Sequence, residues 1–326
     1  MSDIFSILDI RMPMSETYRL LCNRYGNGQG PRVAVVAGIH GDEFNGLGVC
    51  YQLTAFLNKL ERENPEALRG TIDILPGVNA IALDNGSRYW PSYDADLNRR
   101  FPGNPEGSPP HRAPAALLDF LSGTDICIDI HASNIYLQEA SQVRMLDRFS
   151  PELIPLAQHL NLQVIWVHAA STVLETTLSY NLNIRNTKTL VVEMGIGLRY
   201  EDGICTALFE GILALLKAKG VLANVDLPEI HAPEPPIIAT DKNKDVHYFN
   251  AKHSGFFVSI APLWVPIHPG DLIGYIVDPL GGKLLEEIKS PKAGRLFTTR
   301  PFPMVYEGSL VGRLLLDSDK SRGEAA

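Results

Sequence analysis

Short apolar runs alternate with amphipathic helical patterns from residue 31 to about residue 220, and this alternation restricts the fold more than any other feature. Strands separated by such helices imply right-handed crossovers, hence a mixed, mostly parallel α/β sheet with helices on both faces. Strands are predicted at Arg32–Ala37, Thr71–Leu75, Asp125–Ile130, Gln163–Val167 and Thr189–Met194. Helices are predicted at 42–60, Ala113–Leu121, Pro151–Leu160 and Tyr200–Gly220.

The alternation of predicted strands and helices ends by residue 223, and the length of 326 residues suits two domains. We predict a catalytic domain at 1–223, a Pro-rich linker at 224–245, a small all-β, barrel-sandwich-like domain at 246–317 and a tail at 318–326. The β prediction depends on short apolar runs punctuated by Gly and Pro. Residues 78–112 show little periodicity, and a loop that long inside a compact domain is usually functional.

Composition disfavours several classes of protein. The chain has 29 Lys and Arg against 37 Asp and Glu, a net charge of −8 and no basic run, which disfavours nucleic acid as a partner. No stretch approaches the ~20 apolar residues of a membrane span. The N-terminus does not resemble a signal peptide, and the four widely spaced cysteines suit reduced thiols, so we expect a cytoplasmic protein. The oligomeric state is left open, a homo-oligomer included.

The segment HGDE follows the first predicted strand and begins with His40. His40 and Glu43 would face the crevice beyond the carboxyl end of the sheet, where ligands bind in open α/β folds. Zn²⁺ accepts imidazole nitrogen and carboxylate oxygen at about 2.0–2.2 Å, so the pair could bind one zinc ion. Glu43 is predicted in the first turn of the helix 42–60. The alternative is a helix N-cap, with the acidic residues favoured there by the helix dipole.

Two further strand ends carry ionisable groups. His131 follows the strand 125–130 and could complete two His and one carboxylate, an arrangement that leaves a fourth zinc position open for water. The alternative is a buried, hydrogen-bonded core histidine. Asp129 would face either the core or the back of a ligand. Glu193 lies near the end of an apolar strand, where it would serve as general base; a structural salt bridge is the alternative.

The long loop supplies cationic and amide groups suited to an anionic substrate. Asn98 and Arg99 could bind a substrate carboxylate, Arg99 through its two-pronged guanidinium. Arg88 could polarise the scissile carbonyl and stabilise its oxyanion. The alternative is that these arginines are simply solvated.

The motifs HGDE, DLNRRFPG, DIHAS and VVEMG occur in this order on these elements, and together they resemble the succinylglutamate desuccinylase/aspartoacylase family of the zinc carboxypeptidase superfamily. The resemblance covers roughly residues 30–316. It implies a carboxypeptidase-like fold, one Zn²⁺ per chain and hydrolysis of the amide of a small anionic N-acyl amino acid or related amine. The residues it implies are the zinc ligands His40, Glu43 and His131, the base Glu193, the carboxylate-binding pair Asn98 and Arg99, and Arg88 at the carbonyl oxygen.

Two other functions remain open. A metallocarboxypeptidase acting on short peptides would use the same metal and base. A non-catalytic binding or carrier module is suggested by the C-terminal pattern, which resembles a lipoyl or biotinyl domain with Lys283 near the acceptor position; we interpret Lys283 as a solvated hairpin lysine. We also expect that Arg144, Arg185 or Arg199 binds a second carboxylate, and that residues 174–186 form a lid. The other histidines, His168 among them, are interpreted as structural or surface groups.

Overall fold

The computed structural model describes residues 3–14, 16–26, 28–227 and 235–317. Six α-helices occur in these ranges: α1 (Asn45–Glu63), α2 (Ala80–Asp84), α3 (Pro109–Leu121), α4 (Ser150–Ala157), α5 (Leu178–Asn183) and α6 (Asp202–Ala218). The strands of the first two-thirds of the chain are β1 (Asp3–Arg11), β2 (Thr17–Gly26), β3 (Arg32–Ala37), β4 (Thr71–Leu75), β5 (Ile126–His131), β6 (Gln138–Leu146), β7 (Val164–His168) and β8 (Lys188–Gly195). The remaining strands are β9 (Ile237–Thr240), β10 (Val246–Asn250), β11 (Gly255–Ser259), β12 (Pro266–Ile267), β13 (Leu272–Asp278), β14 (Lys283–Lys289), β15 (Gly294–Thr299), β16 (Met304–Val305) and β17 (Leu310–Leu316).

The centre of the main sheet is parallel, in the order β4-β3-β5-β8. These strands are short apolar runs, buried along most of their length, as expected for a sheet covered on both faces. One apolar cluster joins one face to α1, α4 and α6, and a second joins the other face to α3 and α5. The prediction of a mixed, mostly parallel α/β sheet with helices on both faces is therefore confirmed.

Four strands of the main sheet were not predicted from the sequence: β1, β2, β6 and β9. The hairpin β1–β2 pairs antiparallel with β4 and covers that edge of the parallel strands. On the other side, β6 runs antiparallel to β8 and then parallel to β7. The strand β6 matters for the site, because it extends the sheet beyond β8, the strand that carries Glu193.

The C-terminal region is all β, as predicted, and it contributes to two sheets. A separate antiparallel sheet has the order β14-β13-β11-β16, and Lys283 is exposed at the β13–β14 hairpin. In contrast, β15 pairs with β6 of the catalytic region, and β17 and β10 follow it. The segment predicted as a linker contains β9, which pairs with β7. The division into domains stays a prediction, and 228–234 and 318–326 lie outside the described residues.

A fully buried aspartate braces the main sheet near the start of β3. Asp73 accepts hydrogen bonds from Arg24 Nε at 2.6 Å, from Arg24 Nη2 at 2.9 Å and from Arg32 Nε at 2.7 Å. These contacts join β2, β3 and β4 by charge as well as by backbone pairing. All four cysteines are buried free thiols. In the ranges that the structure describes, no helix is both long enough and apolar enough to span a bilayer.

Candidate active site

The candidate site lies where β3, β5 and β8 end. His40 follows β3, and His131 is the last residue of β5. Glu193 of β8 is the register partner of His131. Because partners on adjacent strands project from the same face of a sheet, His131 and Glu193 face the same crevice. The strand-end placement predicted for these residues from the sequence agrees with their positions in the structure.

The loop between β3 and α1 positions His40 and Glu43. Gly38 has φ +69°, a conformation that residues with a side chain rarely adopt. A Cβ on Gly41 would lie 2.1 Å from the carbonyl carbon of Ala82, so only glycine lets the loop pack against α2. The prediction that Glu43 lies in the first turn of the helix is wrong, because α1 begins at Asn45 and Glu43 lies in the loop before it. The first turn holds no acidic residue, so the helix-cap alternative is wrong as well.

The Glu43 carboxylate lies between the two histidines. Its Oε1 is 2.8 Å from His40 Nδ1, and its Oε2 is 2.9 Å from His131 Nδ1. All three side chains are buried, and one potential ligand atom from each lies within 4.8 Å of the others. Two imidazole nitrogens and one carboxylate oxygen therefore converge in an arrangement that can hold a metal ion.

Two further carboxylates, those of Asp96 and Asp129, orient the imidazoles from the side away from Glu43. His40 Nε2 is 3.1 Å from Asp96 Oδ1, and His131 Nε2 is 3.1 Å from Asp129 Oδ2, an ion-pair contact rather than an aligned hydrogen bond. A carboxylate behind the outer nitrogen is the usual support of a metal-binding histidine, since it fixes the tautomer that leaves the inner nitrogen free to bind. Asp129 contacts His131 Nε2, so of the two positions expected for it, the one behind the predicted ligand is observed.

The electrostatics of this group suit a cation. Burial opposes protonation of both histidines, but the surrounding carboxylates raise the pKa of His40 and raise that of His131 further. Burial opposes ionisation of Glu43, yet the two histidines hold its pKa below the ordinary value. Three carboxylates face two imidazoles and Arg88, which leaves two negative charges in excess when the imidazoles are neutral. A divalent cation would balance that excess, so the residues fit a metal ion.

A cavity of about 720 Å³ opens in front of this group. Glu193 lines it, and burial raises the pKa of that carboxyl group while the cation of Arg144 opposes the rise. Arg144 Nη1 lies 3.5 Å from Glu193 Oε1, so the residue predicted as base also makes an ionic contact. A raised pKa at a cavity wall suits a group that must take up and release a proton.

The long loop brings its three predicted residues to the same cavity. Arg88 lies between Glu43 and Asp96, with nitrogen–oxygen distances of 3.4 and 3.2 Å. Asn98 is buried and accepts a hydrogen bond from the backbone N–H of Leu178, which joins the loop to α5. Arg99 is exposed at the cavity wall and donates to the Asn98 carbonyl at 2.9 Å.

Of the three arginines suggested for a second carboxylate, Arg144 lines the main cavity. Arg199 lines a separate cavity of about 440 Å³ beside Phe302, and Arg185 is exposed and lines neither. Residues 174–186 do border the main cavity, through Thr177, Tyr180 and other side chains.

Several cavity residues were not anticipated from the sequence. His168 lies at the end of β7 and borders the cavity beside Asp241, and burial together with the cation of Arg144 lowers its pKa to about 4. The strand-end argument that identified His131 could not have identified His168, because β7 runs antiparallel to β5 and β8. Glu139, Asp241 and Arg313 also line the cavity, the last two from the C-terminal region. No sequence motif connects those two with the strand-end residues.

Comparison with known proteins decides the family. The family model described as succinylglutamate desuccinylase/aspartoacylase catalytic domain matches residues 29–218, more than half of the chain. The chain belongs to this family. The resemblance predicted from the four motifs is thus confirmed, and so is the prediction that the chain is an enzyme, since the family is one of deacylating amidohydrolases.

Three known proteins illustrate the range of similarity to this chain. An N-α-acetyl-L-2,4-diaminobutyric acid deacetylase from Halomonas elongata is 24% identical over 269 residues, which cover 77% of this chain and 72% of that protein. The structure of a succinylglutamate desuccinylase/aspartoacylase from Rhodobacter sphaeroides has a TM-score of 0.78, with 22% identity and coverage of 95% and 94%. A metallo-carboxypeptidase from Burkholderia cenocepacia has a TM-score of 0.52, with 16% identity and coverage of 67% and 64%. The two structures show a shared fold.

Proposed function

We propose that this chain is a zinc-dependent amidohydrolase that cleaves the amide of an N-acyl amino acid or a related N-acyl amine, releasing a carboxylate and the free amine. The observation that carries the proposal is the convergence of His40, Glu43 and His131 on one point at the wall of the cavity that Glu193 also lines. A metal ligand set beside a half-buried carboxylate of raised pKa is typical of hydrolytic rather than structural sites.

The metal would be zinc, bound by His40, Glu43 and His131. A set of two imidazoles and one carboxylate with no thiolate suits zinc in a catalytic site, where one position stays open. When bound, zinc supplies a Lewis acid and lowers the pKa of a coordinated water molecule toward neutrality.

The side chains of the cavity carry the remaining steps. Glu193 accepts the proton of the attacking water and then passes it to the leaving nitrogen, so that the amine departs neutral. The guanidinium of Arg88 stabilises negative charge that develops on the carbonyl oxygen. Arg99, which is exposed at the cavity wall, binds a carboxylate of the substrate together with the Asn98 amide and orients the scissile bond.

An N-acyl amino acid is favoured over a peptide as substrate. The curated relative from Halomonas elongata is a deacetylase of an N-acetylated diamino acid, which makes acetyl the first acyl group to test. Arg313 and Asp241 of the C-terminal region reach the cavity wall, where they limit the space for a longer chain. The alternative hypothesis of a metallocarboxypeptidase is supported only by similarity of the fold.

The test is a substrate screen of the zinc-loaded protein with N-acetyl, N-succinyl and N-formyl amino acids beside dipeptides of matched size. We expect turnover of at least one N-acyl amino acid, about one zinc per chain, and loss of both zinc and turnover in His131→Ala. A matched control is His159→Ala, because His159 lies outside the cavity. Faster cleavage of the dipeptides would favour the carboxypeptidase, and zinc-independent turnover would refute the proposal.

A further inference from the structure

A chain of four charged side chains connects Glu193 to the C-terminal region. Arg144 Nη1 lies 3.5 Å from Glu193 Oε1, and Arg144 Nη2 lies 2.6 Å from Glu139 Oε2. The other oxygen of Glu139 accepts a hydrogen bond from Arg313 Nη1 at 2.5 Å. The order is therefore Glu193, Arg144, Glu139 and Arg313, with alternating charge.

Strand pairing brings these residues together. On β6 and β15, Glu139 is the register partner of Thr298, and on β15 and β17, Thr298 is the register partner of Arg313. The three residues therefore form one row across three strands, and their side chains share a face of the sheet. Arg144 is five residues beyond Glu139 on β6, past the register shift that lies between Glu139 and Gln142 in the β6–β8 pair.

The guanidinium of Arg144 is held on more than one side. Glu139 is a buried carboxylate, and such a group is stable only when paired. The Trp166 ring lies 5.5 Å from the guanidinium carbon of Arg144 and 5.5 Å from that of Arg313. Within the described part of the chain, Glu193 makes no side-chain hydrogen bond other than the one from Arg144.

We propose that Arg144 is a positioning residue for Glu193, and that Arg313 of the C-terminal region, acting through Glu139, keeps Arg144 in place. The inference depends on the proposed function in that Glu193 is taken as the base. Without Arg313, Arg144 alone balances the buried charge of Glu139. The guanidinium of Arg144 then moves toward Glu139 and away from Glu193. Its contact with Glu193, at 3.5 Å, is already longer than its contact with Glu139, at 2.6 Å.

This role differs from binding a second substrate carboxylate, which the sequence suggested for Arg144. Two terminal nitrogens of the guanidinium already face protein carboxylates. A positioning residue changes the rate of the bound complex, so its loss lowers kcat and leaves KM nearly unchanged. A substrate-binding residue, when lost, raises KM instead.

The first experiment compares Arg144→Ala, Arg144→Lys and the control Arg62→Ala, all zinc-loaded, on the substrate found by the screen. We expect kcat of Arg144→Ala to fall roughly 10- to 100-fold, the usual cost of removing an orienting partner. Arg144→Lys should have a kcat between those of wild type and Arg144→Ala. Added guanidinium should raise the kcat of Arg144→Ala and of no other variant. Arg62→Ala should match wild type, because Arg62 is exposed on α1 and lies outside the cavity. A raised KM with unchanged kcat, or no rescue by either route, overturns the positioning role.

The second experiment is a double-mutant cycle with Arg144→Ala and Arg313→Met. If Arg313 acts through Arg144, the double variant loses less kcat than the product of the two single losses. Its melting temperature falls by more than the sum of the two single decreases, because the buried Glu139 is then left with neither of its two cations. Additive effects in both measurements overturn the connection. The thermal cycle needs no substrate, so it still decides the connection if the screen finds no turnover, a result that would refute the proposed function alone.

Discussion

Asp129→Asn tests whether the carboxylates behind the histidines belong to a metal site. The substitution keeps the size of the side chain but replaces the carboxylate that faces His131 Nε2 at 3.1 Å. Loss of such a partner typically weakens metal binding 10- to 100-fold, which corresponds to about 1.4–2.8 kcal/mol. Asp129 is fully buried, so water cannot replace it, and we expect the upper end of that range.

Asp96→Asn is the matched comparison, because Asp96 supports His40 in the same way. Its side chain is 16% exposed and shares its charge with Arg88 at 3.2 Å, so water and the neighbouring cation can compensate in part. We expect a loss near the lower end, about tenfold. The assay is zinc titration against a chelator of known affinity, with thermal unfolding as a check on folding. Wild-type zinc affinity in Asp129→Asn, or a lower zinc affinity in Asp96→Asn than in Asp129→Asn, would contradict the roles given to these two carboxylates.

Three further predictions concern the base, its pH dependence and the fold. Glu193→Gln should keep zinc but lower kcat by roughly 10²- to 10⁴-fold, the usual contribution of a general base; near-normal turnover at saturating substrate would remove Glu193 from that role. Because burial raises the pKa of Glu193 and the base must be ionised, kcat/KM should decline with falling pH at values above ~4.3, the ordinary pKa of glutamate; a pH profile that stays flat down to that value would contradict this. Asp73→Asn should lower the free energy of unfolding by about 3 kcal/mol in chemical denaturation, at the low end for a broken buried ion pair because Arg24 and Arg32 reach solvent; a loss below about 1 kcal/mol would show that the pairing adds little.

The parallel strands were predictable because each is an apolar run bounded by glycine or polar residues. Arg32–Ala37 and Thr71–Leu75 were predicted with the bounds observed. β6 was not, because its sequence, QEASQVRML, is rich in polar residues. Val143 and Met145 face the apolar cluster under α4 and α6, whereas Glu139 and Arg144 face the cavity. The requirements of the site thus obscure the apolar pattern of the strand.

Some residues of the candidate site were also predictable from the sequence, and others were not. His40, His131 and Glu193 were predictable because parallel strands end at a common edge, so residues at three strand ends must meet. His168 was taken for a structural group, and the strand-end argument does not apply to it, because β7 runs parallel to β6 and therefore antiparallel to β8. Arg313 could not be found this way, because its place at the cavity depends on β17 joining the main sheet through β15 and β6. That pairing is a long-range event, and no local pattern of residues encodes it.

The pairing of the edge strands has a practical consequence for trimming the chain. The family match spans residues 29–218, which contain the proposed metal ligands and the base. Three strands inside that span are paired by strands outside it: β4 by β2, β6 by β15 and β7 by β9. A polypeptide cut at those limits would leave three rows of unpaired backbone groups, each a template on which another chain can add a strand. Such a fragment is expected to aggregate during expression, even though the proposed chemistry lies within it.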